Sequence, residues 1–368
     1  MQKNLHYFIW ASTLAIIMMG LLAIYSASFS NLRVTHEVFY DQLGCAVFGF
    51  LLMFILGRVD YRRYYDHAYF FYAVSILLLV LVIISGRLAL GAQRWLTIGT
   101  FSFQPSEVAK LALILGLGRY FAEYSPSGRF SRYPFWTGLW SDLILPFFMT
   151  LVPMFLIFIQ PDLGSSILFI GIFVAMLTVT GVPSNRIMVF LAGCLLVVPL
   201  GWHILKPYQK DRLLVFLNPN IDPLGAGYTI IQSKIAMGSG QLFGKGWLAG
   251  TQNQLNFLPE CHTDFIFGVV GEEWGLIGTL FLLANYGVLI YCGFKIAEQI
   301  KDRFGTQVAV GISAILTLQV VINMGMVLGL LPVVGITLPL VSYGRTSFMI
   351  FVAMLGILLS LSRRRTIF

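Results

Sequence analysis

The sequence predicts an all-α integral membrane protein: a bundle of about ten transmembrane helices, with a large extracytoplasmic loop between the seventh and the eighth. Three observations lead there. Hydrophobic residues make up 58% of the 368 positions and charged residues only 11%, with a mean hydropathy of +0.82, whereas a soluble domain carries about a quarter charged residues. Apolar runs of spanning length recur along the chain, given that a helix needs roughly 20 residues to cross the hydrocarbon core. The Lys and Arg residues between those runs are distributed unequally over alternate loops, as cytoplasmic retention of positive charge requires.

The runs fall at about 8–27, 41–57, 68–85, 106–122, 143–160, 164–181, 187–204, 274–294, 306–331 and 346–361. They make residues 1–368 one polytopic domain, with 205–265 as its large external loop. The first run follows only Lys3, and Ser26-Ala27-Ser28 has the small-residue look of a cleavage site. A run of about 20 apolar residues exceeds the usual signal core, which favours a retained helix. One set of short loops carries Lys3, Arg58, Arg62, Arg63, Arg119, Arg129, Arg132, Arg186, Lys295, Lys301, Arg303 and Arg363 to Arg365; the opposite set carries Arg33, Arg87, Arg94, Lys110 and Arg345. This excess puts both termini in the cytoplasm. Lys206, Lys210, Arg212, Lys234 and Lys245 lie in the long connection, which crosses largely regardless of charge. Residues 91–107, 160–164 and the long loop then converge on the outer face.

The net charge of +8 is spread over many loops, which suits anionic lipid headgroups and excludes a nucleic-acid groove as the partner. Cys45, Cys194 and Cys292 fall in spans and Cys261 stands alone in the loop, so neither a disulfide framework nor a metal-type spacing is present. No internal repeat is apparent. Gly325-Met-Val-Leu-Gly329 has the spacing of a close helix contact, and Tyr228 to Met237 has the spacing of an interfacial helix.

Asp264 is the first candidate for chemistry. It ends the polar stretch Leu258-Pro-Glu-Cys-His-Thr-Asp264 just before Phe265-Ile-Phe267, so a carboxylate is presented at a lipid–water boundary, where desolvation raises its pKa toward that of a general base. Its ordinary alternative is a helix N-cap. Glu272 and Glu273 follow; if the eighth span began at Phe265 they would lie about 12 Å deep at 1.5 Å per residue, an expensive place in lipid, so the lipid-crossing part is expected to begin near Trp274. His262 lacks a visible partner set for a triad.

Gln104-Pro-Ser106-Glu107-Val-Ala-Lys110 reads as a helix start with Ser106 as cap, Glu107 in the first turn and Lys110 paired to it. The functional alternative makes Lys110 and Arg94 cations for a diphosphate, oriented by Glu107. Asp162, in Gln160-Pro-Asp-Leu-Gly164, is a turn former or cap that arrives on the same face as Asp264. Arg212, Lys234 and Lys245 are loop cations able to attract a phosphate, interleaved with glycines that permit close backbone approach.

Gly91-Ala-Gln-Arg-Trp, Gln104-Pro-Ser-Glu-Val-Ala-Lys110, Gln160-Pro-Asp-Leu-Gly, Ile231-Gln-Ser-Lys-Ile-Ala-Met-Gly-Ser-Gly, His262-Thr-Asp-Phe-Ile-Phe, Gly271-Glu-Glu-Trp-Gly and Val341-Ser-Tyr-Gly together resemble the SEDS family of shape, elongation, division and sporulation proteins. Gly250-Thr-Gln-Asn-Gln-Leu-Asn-Phe-Leu-Pro resembles its RodA elongation branch rather than its FtsW division branch. The resemblance spans essentially the whole chain. It implies a ten-helix fold in the bacterial cytoplasmic membrane and a peptidoglycan glycosyltransferase that polymerises lipid II into undecaprenyl-linked glycan at the outer face. It also implies a class B penicillin-binding protein and other elongation-complex membrane proteins as partners. The family's essential acid falls on Asp264, its external Glu and Lys on Glu107 and Lys110, and its turn acid on Asp162. Two positions depart from the family pattern: Arg345 stands where a second Gly follows Val-Ser-Tyr-Gly, and Gln241 stands in a Gly-Gly pair.

The chemistry this implies is removal of a proton from the GlcNAc 4-hydroxyl of lipid II by Asp264 and attack on the MurNAc anomeric carbon with inversion. Arg94, Lys110, Arg212, Lys234 and Lys245 would neutralise the departing diphosphate, with a divalent cation, Mg or Mn, as a candidate aid. A lipid II flippase or transporter would instead favour ionisable residues near the midplane or interrupted helices. A noncatalytic scaffold of the cell-wall machinery is the third reading.

Overall fold

The computed structural model describes residues 4–29, 32–89, 92–99, 101–123, 140–204, 207–223 and 225–364. Lys3, Gly91, Arg129, Arg132, Lys206 and Arg365, used above, lie outside them. From the N-terminus run α1 (Leu5–Ser28), α2 (Leu32–Leu56) and α3 (Arg62–Ser85), then three strands, β1 (Arg87–Ala89), β2 (Ala92–Ile98) and β3 (Phe101–Phe103). Next come α4 (Pro105–Glu123), α5 (Leu145–Ile159), α6 (Leu163–Thr178) and α7 (Ser184–Ile204). The long connection holds α8 (Pro207–Leu217), α9 (Ala226–Ser239) and a single turn, α10 (Thr251–Gln254). The chain closes with α11 (Ile266–Gln299), α12 (Arg303–Val327) and α13 (Arg345–Arg364).

Among the described residues, seven helices are long and apolar enough to cross a membrane: α1, α2, α3, α5 with its preceding turn, α11, α12 and α13. Helices α4, α6 and α7 occupy the runs expected at 106–122, 164–181 and 187–204. The helices are layered by burial. The most apolar windows of α12 and α13 are 72% and 78% buried, whereas those of α2 and α3 are 22% buried, so α12 and α13 form the centre and α2 and α3 face outward. Small residues make the centre close-packed: a Cβ on Gly311 of α12 would fall 2.7 Å from Ile114 of α4. Helix α12 packs on α4, α6 and α11, and α13 on α2.

Several expectations need correction. The connection after α3 is an antiparallel meander, with Ala89 opposite Ala92, Leu96 opposite Phe103 and Ile98 opposite Phe101. Its β-branched and aromatic residues suit a pleated surface, and Gly99 (φ 64) supplies the turn. Ser106 does not cap α4, because the helix already begins at Pro105, where a missing N–H is harmless; the Ser106 hydroxyl is buried without a partner. Helix α2 starts at Leu32, before the apolar run, and α11 starts at Ile266, two turns ahead of Trp274, where its lipid-crossing part is expected to begin. Gly325 packs against Leu331, and Gly329 lies beyond the end of α12 under the Lys234 stem, so this pair does not mark a helix–helix seam.

Helix α11 is interrupted at Gly275 (φ 61, ψ −155). The loop after α9 fills the gap with its own backbone. Lys245 N donates to Glu272 O and Gly246 N to Glu273 O, both at 3.0 Å, while Leu276 N donates to Gln241 O at 2.9 Å and Ile277 N to Leu242 O at 3.2 Å. The amides and carbonyls that a broken helix exposes are thereby satisfied by protein, as an apolar setting demands.

Candidate active site

Asp264 sits in a non-helical turn immediately before α11, whose cap position is Phe265 and carries no side-chain cap bond. The capping role open to Asp264 is therefore not taken. Three successive carbonyls of this turn are tied down by different residues: His262 O accepts from Tyr343 N at 2.9 Å, Thr263 O from Ser342 Oγ at 2.6 Å and Asp264 O from Asn323 Nδ2 at 2.9 Å. The backbone is fixed, while no hydrogen bond to the Asp264 carboxylate is seen among the described residues. The carboxylate faces Gly335 (φ 73), whose missing Cβ would stand 3.4 Å from Oδ2.

Asp264 is partly accessible yet closely surrounded by protein. Burial is the main reason its carboxyl is pushed up to about 6; Glu260 and Asp162 push the same way, and Arg212 and Arg94 oppose them. The field at Asp264 thus contains three of the residues singled out from sequence, delivered by three separate segments. Arg94 comes from β2 and is held by the α5–α6 turn, its Nε donating to Gln160 O at 3.2 Å and a terminal nitrogen to Pro161 O. Asp162 caps α6 through Ser165 N at 3.1 Å, the ordinary role open to it, without leaving the neighbourhood. Arg212 comes from α8 and reaches Val333 O at 3.4 Å. Arg94 and Arg212 line one small cleft with Gln209, Pro332 and Val334. Gly164 lets α6 approach this wall, since a Cβ there would lie 2.6 Å from Val334 O.

The other candidates are placed elsewhere. Glu107 and Lys110 form a buried ion pair at 2.7 Å on the first turns of α4, with Glu107 Oε2 left without a partner and Lys110 Nζ 5.9 Å from the Phe351 ring. Lys234 on α9 is exposed, its stem over Gly329, and α9 is fastened by Ser233 Oγ donating to Val327 O at 2.5 Å. Lys245 is not brought to Asp264. Its Nζ meets Glu272 Oε1 at 2.6 Å and Thr251 Oγ1 at 2.8 Å, and Gln252 N also donates to Glu272 at 3.1 Å. Glu273 accepts from Ser26 Oγ of α1. The two glutamates that looked too deep for lipid therefore anchor the loop after α9 to α11, and α11 to α1. His262 is half-buried, its pKa lowered mainly by burial, and its ring lies 5.9 Å from that of Tyr343.

The two family departures have local accounts. Arg345 is paired with Asp41 of α2, so its charge is answered across the α2–α13 contact. Gln241 adopts φ 50, a left-handed conformation that glycine would take at no steric cost. Sequence reasoning missed Asn323, Gly335 and Ser342 as individual residues of the site. A signal existed for Asn323, an uncharged polar side chain inside an apolar span.

Known proteins resolve what this geometry belongs to. Residues 6–367 match the FtsW/RodA/SpoVE family, described as cell cycle proteins. The chain belongs to that family. It is 43% identical to the peptidoglycan glycosyltransferase MrdB of Escherichia coli K12 over 96% of this chain and 92% of that protein. It is 32% identical to the peptidoglycan glycosyltransferase RodA of Treponema pallidum over 99% and 98%. Among solved structures, the crystal structure of the Thermus thermophilus rod shape determining protein RodA matches with a TM-score of 0.70 and 31% identity, over 97% of this chain and 96% of that one. A chain from work on "structural coordination of polymerization and crosslinking by a peptidoglycan synthase complex" matches with a TM-score of 0.81 and 32% identity, over 98% of both. As a member of the FtsW/RodA/SpoVE family, the chain is a multi-pass membrane protein.

Proposed function

We propose that this FtsW/RodA/SpoVE protein is a peptidoglycan glycosyltransferase that polymerises lipid II during cell elongation, with Asp264 as its general base. The observation that carries this reading is a carboxylate with no hydrogen bond among the described residues, raised to about 6 by burial, beside a cleft with two guanidinium groups. The kinship with MrdB and RodA names the reaction class.

In the proposed step the Asp264 carboxylate takes the proton of the acceptor GlcNAc 4-hydroxyl. The freed oxygen pair forms a bond to the anomeric carbon of the donor MurNAc, and the bond from that carbon to the diphosphate oxygen breaks with inversion. Undecaprenyl diphosphate leaves with that electron pair, and Arg94 and Arg212 neutralise its charge as it develops. A base with a pKa near 6 is ionised at neutral pH yet far closer to the operating pH than an ordinary aspartate, which favours proton transfer. Glu107 and Lys110 act through the buried ion pair they form on the first turns of α4, Lys234 is an outlying cation for the lipid phosphate, and Lys245 acts by fixing the external loop. Among the described residues no three His, Cys, Asp or Glu side chains gather as a metal-ligand set.

The same reading puts both termini in the cytoplasm and Asp264 at the outer face. It gives the chain a class B penicillin-binding protein as transpeptidase partner, in keeping with its likeness to a chain of a peptidoglycan synthase complex. Purified wild type and Asp264→Ala, each given labelled lipid II, test the assignment. Loss of glycan product with retained folding and lipid II binding is expected; equal polymer yield from the variant rejects the base.

A further inference from the structure

We propose that Asn323 is a positioning residue for Asp264: one buried amide ties together the two backbone segments between which the carboxylate is held, and so sets where the base stands against the sugar hydroxyl. The inference rests on the reading of Asp264 as the base and deepens it.

Asn323 lies on α12, the innermost layer of the bundle, with its side chain fully buried. Its two N–H groups are divided between two carbonyls: Nδ2 donates to Asp264 O at 2.9 Å and to Ile336 O at 2.7 Å. Both partners are acceptors only, so the amide nitrogen must face them. Ile336 follows Gly335, the residue against which Asp264 Oδ2 lies. The same two hydrogens therefore fix the backbone under the carboxylate and the backbone that walls it. The amide oxygen, Oδ1, is buried with no hydrogen-bond partner, so the side chain's orientation is set by its donors alone.

The neighbouring ties cannot do this work by themselves. Ser342 Oγ joins Thr263 O at 2.6 Å to Leu338 N at 2.7 Å, and Tyr343 N holds His262 O. Both act on the approach to Asp264 and leave the gap between Asp264 and Gly335 unspanned. With Asn323 shortened, the turn stays attached, but the carboxylate loses its fixed distance from the wall. A misplacement of about 1 Å is enough to lose on the order of 10²-fold in rate.

The test is kinetic, on full-length protein in detergent micelles with labelled lipid II. Asn323→Ala is expected to lower kcat about 100-fold per folded molecule, to leave KM within about twofold, and to move the acid limb of the kcat/KM profile to lower pH as water reaches the carboxylate. The charged groups felt at Asp264, namely Glu260, Arg212, Asp162 and Arg94, are unchanged in that variant, so a moved limb reports the carboxylate's own setting. Should Asn323→Ala not fold, Asn323→Ser, which keeps one donor, is read the same way, with an intermediate loss of kcat expected. A folded variant with wild-type kcat and an unmoved acid limb overturns the proposal even if its melting temperature falls. Full polymerisation by Asp264→Ala alone would instead remove the base assignment. Inactive Asp264→Ala beside wild-type-like Asn323→Ala removes only the positioning role.

Discussion

Replacing Asp264 with Asn keeps the shape of the side chain and removes the titration, which separates what the residue does for chemistry from what it costs the fold. The carboxyl is raised from an ordinary value of 3.8 to about 6, chiefly by burial. At 1.36 kcal/mol per pKa unit this gap is worth about 3 kcal/mol. Between those two values the folded protein binds more protons than the unfolded chain, so the contribution of this group is fully present below 3.8 and is lost as pH rises through about 6. The Asn variant has no such loss. At pH 8 it is expected to exceed wild type in stability by up to about 3 kcal/mol, a difference already net of the attraction to Arg212 and Arg94; toward pH 4 the advantage disappears. Thermal melting in micelles, followed by the fluorescence of the seven tryptophans, reads the difference, and the same samples are expected to make no glycan at either pH. A variant that melts at or below wild type at pH 8, or whose gain persists unchanged at pH 4, would show that burial does not strain the carboxylate.

Three further outcomes follow from the same geometry. The kcat/KM of wild type for lipid II is expected to fall below about pH 6, where Asp264 becomes protonated; a profile flat down to pH 4.5 would contradict the base. Glu107→Gln or Lys110→Met leaves one charge of the buried pair unanswered and is expected to destabilise by about 3–5 kcal/mol, with the double replacement much milder, as melting temperatures of the three variants would show. Gly335→Ala forces a side chain into φ 73 with its Cβ 3.4 Å from Asp264 Oδ2; a stability loss of about 1–2 kcal/mol and a fall in kcat of about tenfold or more are expected from melting and single-turnover assays.

The membrane fold was legible because its cause is local and repeated: an apolar run near 20 residues has few alternatives to a spanning helix. What was not legible depended on partners remote in sequence. The strands β1 to β3 hide in a short segment between two spans, where a seven-residue strand competes poorly with the helical signal on either side. The true start of α2 lies in polar residues that the hydropathy window discards. Asp264 could be singled out because an acid before an aromatic run is locally unusual. Its supports could not, since Asn323 lies 59 residues from Asp264 and Ser342 79 residues from Thr263, and both look, in the sequence, like ordinary polar residues of a span and a turn. Lys245 shows the converse: a lysine among glycines reads as a phosphate ligand until Glu272 claims it.

The interrupted α11 decides between catalysis and transport more firmly than any single charge. A transporter uses broken helices and buried acids as elements that open to a substrate at mid-membrane. Here the break at Gly275 is closed by four backbone hydrogen bonds from the loop after α9, and Glu272 and Glu273 are committed to Lys245, Thr251, Gln252 and Ser26. Opening the helix would strip the Glu272 carboxylate of its Lys245 partner in a low-dielectric setting, where an uncompensated charge costs several kcal/mol. The break therefore serves as a socket. It holds the loop after α9 against α11 and α1 on one flank of the Asp264 turn, while Asn323, Ser342 and Tyr343 hold the other. A carboxylate with no hydrogen bond among the described residues, held between two rigid flanks, is suited to accepting a proton at a fixed point, and poorly suited to travelling with a cargo.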